Sequence, residues 1–234
     1  MSGSKDTIHL GDGASASLIA GAAAGEPFSL PKAVFTTTCW RVLPAFRRRA
    51  EWLSAWLRAL MWLRLGWLGA PVERALRMLP RELVWEDISH NVVTTAGKNS
   101  VLDVYFRAAT QITSWFCGLI SSVSYTAVAA GDTAAQINGT NGWREAGGAN
   151  APTYSGARKA LTFGNPASAG SLSTSAASSF TFTGTGTIKG MFAVSTSTVD
   201  GTTGTLYNAV LFNAPGDRAV ANTDIVNVNV TYTA

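Results

Sequence analysis

Few side chains in this sequence could carry out chemistry near neutral pH. Its two histidines, His9 and His90, are 81 residues apart, and His9 lies in a stretch of small residues. His90 reads as a structural histidine rather than a base. No serine lies in Gly-x-Ser-x-Gly, no His-Glu-x-x-His is present, and no carboxylates are paired by spacing. The run Gly184-Thr-Gly186-Thr-Ile-Lys-Gly190 looks superficially like a phosphate loop. It lacks the Gly-x-Gly-x-x-Gly spacing, and the residues after it read as a strand, not a helix. Asp103, Asp132, Asp200, Asp217 and Asp224 are scattered, and no calcium cage can be assembled from them by sequence. Asn138-Gly-Thr140 and Asn229-Val-Thr231 match glycosylation sequons by composition alone. No catalytic residue, cofactor or metal is expected.

Cys39 and Cys117 are the only cysteines, too few for a disulfide scaffold or a Cys/His zinc site. Two free buried thiols are expected, because a free cysteine packs as a small hydrophobe. The N-terminus lacks a charged region followed by an apolar stretch, which argues against a secretory signal. Charged residues make up 14% of the chain, so its surface must draw polarity from Thr, Ser, Asn and Gly. Such surfaces suit β proteins in large assemblies.

Charge is spread unevenly. Residues 1–100 carry 12 Lys/Arg and 8 Asp/Glu, whereas residues 101–234 carry 6 of each. Nine arginines fall within residues 41–81, against Glu51 and Glu73, and six of the eight tryptophans lie between Trp40 and Trp85. From Asn91 onward the composition turns to Thr, Ser, Ala, Gly and Val, which places a boundary between Pro80 and Thr95. Three segments follow: a flexible arm over 1–32, a helical Trp/Arg-rich segment over 33–89 and a β domain over 90–234. The arm is too poor in large apolar residues to fold alone.

Within the second segment, residues 44–79 read as helical. Pro44 suits a first turn, and Gly66, Gly69 and Pro71 close one helix and open a second that ends at Pro80. Arg58 and Arg64 interrupt the apolar run, so it has no span of ~18 uncharged residues that could cross a membrane. Trp52, Trp56 and Trp67 share one helix face, and Arg47, Arg48 and Arg49 precede it. These six residues are the expected partner contacts. The favoured reading docks this face on the β domain or a neighbouring subunit. Peripheral membrane contact and nucleic-acid contact by the arginine run are the alternatives.

Residues 98–109 read as a short helix capped by Asn99 or Ser100, and Ala129–Gln136 as a helical turn. Strands are expected at 115–120, 143–146, 159–163, 179–183, 188–195, 206–212 and 225–232. Several alternate apolar with small polar residues, as in Val226/Val228/Val230/Tyr232. Short strands separated by Gly-rich turns predict a mainly β fold, an antiparallel β-sandwich or jelly-roll-like domain.

Several stretches in order carry a resemblance: His90-Asn-Val-Val-Thr-Thr-Ala-Gly-Lys-Asn99, Trp115-Phe-Cys-Gly-Leu-Ile120, Tyr125-Thr-Ala-Val-Ala-Ala-Gly-Asp-Thr133 and Gly142-Trp143. Thr185-Gly-Thr-Ile-Lys-Gly190, Gly201-Thr-Thr-Gly-Thr-Leu206, Asp217-Arg-Ala-Val220 and Val228-Asn-Val-Thr-Tyr232 continue it. Residues 90–234 resemble small virion proteins of tailed phages and prophages. The resemblance implies a non-enzymatic structural protein located in the virion, with no catalytic residues to carry over. Its implied partners are other virion proteins, the major capsid protein or tail components. A homo-oligomer, a trimer by analogy, is expected, and nucleic acid and membrane are not expected as partners. Capsid decoration is the leading role. A host-surface binding module on a tail or head fibre is the alternative, and it would use loop aromatics such as Trp143, Tyr154 and Tyr207. Residues 1–77 lie outside the resemblance, as an anchoring module or as sequence upstream of a different start.

Overall fold

The computed structural model describes residues 32–62, 69–139, 142–164 and 167–233. The strands are β1 (Lys32–Val42), β2 (Arg81–His90), β3 (Val92–Val93), β4 (Phe116–Ser121), β5 (Lys159–Ala160), β6 (Ser171–Ser173), β7 (Ser178–Thr181), β8 (Gly186–Val194), β9 (Leu206–Leu211), β10 (Arg218–Val220) and β11 (Ile225–Thr233). The helices are α1 (Arg47–Trp62), α2 (Gly69–Arg77) and α3 (Thr95–Arg107). The protein is mainly β, and its strands form two antiparallel sheets. One sheet runs β2-β1-β11-β6, with β7 also paired to β11. The other runs β3-β9-β8-β4-β5, with β10 also paired to β8.

The sheets face each other because both carry one apolar face at period two. From the first sheet, Phe35, Cys39, Phe180, Val226, Val228 and Val230 enter the shared core. From the second come Cys117, Leu119, Ile188, Met191, Ala193 and Val210. Polar side chains also join the layers: Thr37 Oγ1 donates to Met191 Sδ at 3.3 Å, and Asn208 Nδ2 to the Tyr232 hydroxyl at 3.3 Å. The second sheet is covered on its outer face as well. There Ile120, Phe192, Val194, Leu206 and Ala209 pack against Ala134, Ile137 and Trp143 from the connection between β4 and β5. Trp143 is fully buried, and its indole N–H donates to Asp132 Oδ2 at 3.1 Å.

Residues 33–89 are not simply a helical segment. The helices expected over 44–79 are present as α1 and α2 in the described residues, but the chain on both sides of them is strand. β1 lies between β2 and β11, and it pairs with β11 from Lys32↔Thr233 to Trp40↔Ile225. Ala33, Phe35, Thr37 and Cys39 alternate inward, and β-branched and aromatic residues suit such a pleated surface. The helices therefore interrupt a β-hairpin, whose base is closed by the Leu43 N–H donating to the Pro80 carbonyl at 3.0 Å. Asp87 on β2 pairs with Arg218 on β10 at 2.6 Å, and the Trp85 indole donates to the Ala219 carbonyl at 3.1 Å. The composition break near residue 90 thus falls inside the sandwich, not between two folded units.

Other elements also differ from expectation. α3 starts at Thr95, not near Lys98, because Thr94 is the cap and its Oγ1 accepts from the Gly97 N–H at 3.0 Å. A Cβ on Gly97 would sit 2.3 Å from the Tyr207 carbonyl oxygen, so only glycine lets this turn press onto β9. Residues 143–146 form isolated bridges instead of a strand. β6 and β10 are strands of three residues, too short for a period to declare itself.

Candidate functional site

The arginines of the basic segment have two fates. Arg41 grips the fully buried carboxylate of Asp224 through Nε at 3.0 Å and Nη2 at 2.8 Å, and the Ala221 N–H also donates to it at 2.8 Å. Arg58 Nη1 donates to the Thr183 carbonyl at 3.0 Å, Arg77 Nη1 to Ser179 Oγ at 2.9 Å and Arg81 Nη1 to the Thr223 carbonyl at 2.6 Å. Burial lowers the affinity of the Arg81 guanidinium for its proton, and the Asp224 charge opposes that shift. Arg58 of α1 and Arg77 of α2 fasten the helices to the β layer, Arg81 at the start of β2 holds the end of α2 by donating to the Leu76 carbonyl at 2.9 Å, and Arg41 locks β1 to the loop before β11. Arg47, Arg48 and Arg49 are exposed and make no ion pair among the described residues.

The tryptophan face follows the same division. Val42, Ala50, Leu76 and Leu79 make a small core where α1 and α2 meet the strand ends. Trp52 and Trp56 lie outside it, 61% and 51% exposed, with ring centroids 5.9 Å apart and nearly edge to face. They do not dock on the β domain, which was one arm of the favoured reading. Trp67 lies outside the described residues, as does the arm through residue 31. The structure therefore places Arg47, Arg48, Arg49, Trp52 and Trp56 on one helix, the arginines in its first turn and the tryptophans on the turns that follow.

The scattered aspartates are each engaged. Asp103 pairs with Arg107, Asp132 accepts from Trp143 and Asp200 from the Asn138 amide. Asp217 pairs with Lys189 and Asp224 with Arg41. Among the described residues no group of three His, Cys, Asp or Glu side chains could hold a metal. The Gly184–Gly190 run leads directly into β8. Cys39 and Cys117 are free and buried, and burial pushes both thiols well above their usual range. Glu145 and Arg158 form a fully buried pair at 2.7 Å, which Thr196 and Gly201 complete. Trp143, Tyr154 and Tyr207, the aromatics needed by a loop-based binding surface, are all buried in the sandwich.

A site not anticipated from sequence opens at the end of the sandwich beneath α3. It is a cavity of about 460 Å³, with Val104 and Tyr105 of α3 on one side and Leu172 of β6 on another. Its floor is a run of rings. Trp115 and Tyr207 have centroids 5.4 Å apart, Tyr207 and Tyr232 5.4 Å, and Tyr232 and Phe163 5.8 Å. No lining side chain is charged. Burial raises the pKa of the Tyr207 and Tyr232 phenols, so both stay neutral at physiological pH. Beside the cavity, Tyr105 and Phe106 are 80% and 71% exposed and meet edge to face at 4.9 Å. The four rings come from separate stretches of chain, so no local pattern announced them. Only the exposed apolar pair on α3 was legible, in its 101/102/105/106 spacing.

No helix among the described residues is long and apolar enough to cross a membrane. Comparison with known protein families, and with curated proteins, finds no match to this chain.

Proposed function

We propose that this protein is a structural component of a phage particle, a capsid decoration or cement subunit that works through protein–protein contacts. The observation that carries the reading is the exposure of Trp52 and Trp56 on α1, a helix that opens with the exposed Arg47, Arg48 and Arg49. The same helices are clamped to the sandwich by Arg58 and Arg77. An exposed aromatic pair on a helix that also presents arginines has the composition of an interface. The outward face of the first sheet offers further contact surface: Thr36 and Thr38 stand opposite Asn229 and Asn227 on one side and opposite Ile88 and Glu86 on the other. The resemblance of residues 90–234 to small virion proteins gives the contact its setting, and a homo-oligomer, trimeric by analogy, is part of the proposal.

The test is localisation and copy number on purified particles, with wild-type protein and a W52A/W56A variant. Hundreds of copies over the capsid, and a clear loss of incorporation for the variant, are expected. A few copies at the tail would favour a fibre-associated host-binding module. Tryptophan-dependent flotation with liposomes would replace protein docking with membrane contact, and degradation of peptidoglycan or polysaccharide would overturn the structural role.

A further inference from the structure

We propose that the cavity beneath α3 is the seat of the chain's own N-terminal arm, with Phe28 and Leu30 as the residues that enter it. This inference concerns the isolated protein and does not depend on the particle reading. The cavity lies where β1 begins. Lys32, the first residue of β1, pairs with Thr233, and Thr233 pairs in turn with Ser171. Ser171 and the neighbouring Tyr232 both line the cavity. Two strand spacings, ~10 Å, therefore separate the start of β1 from the cavity wall. Phe28 is four residues from Lys32, and four residues span up to ~14 Å. The leash is long enough.

The chemistry also matches. The chain before Lys32 reads Pro27-Phe28-Ser29-Leu30-Pro31, five residues without a charge, and the cavity lining carries no charge either. A cavity of ~150 Å³ lined by apolar residues accepts a benzene, so about 460 Å³ has room for a phenyl ring and a leucyl side chain together. Rings that already meet edge to face on the floor offer a further aromatic partner for Phe28. Pro27 and Pro31 limit the backbone freedom lost on docking. So short a tether keeps the segment at an effective concentration in the mM range, where even weak intrinsic affinity fills the site.

The experiment places a photoreactive benzoylphenylalanine at position 28 of the full chain and maps its crosslinks in a mixture of isotopically light and heavy protein. Crosslinks within one chain to Val104, Trp115, Leu172 or their neighbours are expected, with at least ~10-fold loss of yield in a Val104→Asp variant. Crosslinks to the same residues but joining light and heavy chains would overturn the seat in favour of arm exchange between copies. Crosslinks elsewhere, or none, would overturn it altogether. As a second measurement free of the probe's bulk, an F28A/L30A variant should bind a neutral apolar dye at least ~10-fold more tightly than wild type. Equal dye binding by the two proteins would also count against the seat.

Discussion

The helical hairpin and the two strands that bracket it share one composition, rich in arginine and tryptophan, yet they belong to the molecule in different ways. β1 contributes Phe35 and Cys39 to the central core and lies between two other strands. The hairpin has its own small core of Val42, Ala50, Leu76 and Leu79 and is otherwise fastened by arginine hydrogen bonds. Similar residues thus serve as framework in one place and as an attached, presented surface a few residues away. What separates them is period: Ala33/Phe35/Thr37/Cys39 repeats every second residue, whereas Trp52/Trp56 repeats every fourth.

The sharpest way to break this contrast is by truncation. A chain beginning at residue 91 loses β1 and β2, exposing the edge of β11 with Val226, Val228 and Val230 beside it. It is expected to aggregate. A chain in which residues 44–79 are replaced by a short loop between Leu43 and Pro80 should stay soluble and keep its β-rich circular dichroism. A soluble, cooperatively melting 91–234 fragment would show that the bracketing strands are as dispensable as the helices.

The next largest effects compare arginines. Arg158→Ala leaves the fully buried Glu145 carboxylate without its cation and should cost ~3–5 kcal/mol in denaturant unfolding. Arg48→Ala, on the exposed run, should shift stability by no more than ~0.5 kcal/mol. Tryptophans divide in the same manner. Trp143→Ala removes a fully buried side chain and should cost ~3–5 kcal/mol, while W52A/W56A should change the melting midpoint little and act on assembly instead. A large destabilisation by W52A/W56A in the isolated protein would place that face in the fold and remove it from the interface.

The smallest expected effect concerns reactivity. Cys39 and Cys117 are buried with raised pKa values, one in each sheet, so neither should react quickly with a thiol reagent at pH 8 in the native protein. Both should react once the chain is denatured. One rapidly modified thiol in the native state would reveal that one of the sheets opens.

How much was legible in the sequence depended on whether a segment carried its own signal. The alternation in residues 226–232 and the closing glycines and prolines around 66–80 are local, and the elements they announce are present wherever the chain is described. β1 also alternates, but its inward residues are Ala, Phe, Thr and Cys, and the charge and tryptophan content around Trp40 and Arg41 hid a strand inside a segment read as helical. Asn99 and Ser100 were reasonable caps for α3 by residue type. Thr94 prevailed because Gly97 fits against Tyr207, a contact over a hundred residues away along the chain.

Composition and short-range period therefore determined by themselves that this is a low-charge, mainly β protein with two helices set among its arginines. They could also single out Trp52 and Trp56 as one face, with Arg47–Arg49 before it, since residues four apart on a helix are neighbours whatever surrounds them. Only tertiary structure decided which arginines are clamps and which stand exposed, because that depends on whether Thr183, Ser179, Thr223 and Asp224 lie opposite. It alone assembled the ring-lined cavity from Trp115, Phe163, Tyr207 and Tyr232. Strand pairing is non-local: the order of strands in a sheet, and so the walls of any cavity between sheets, is set by contacts that no window of neighbouring residues contains.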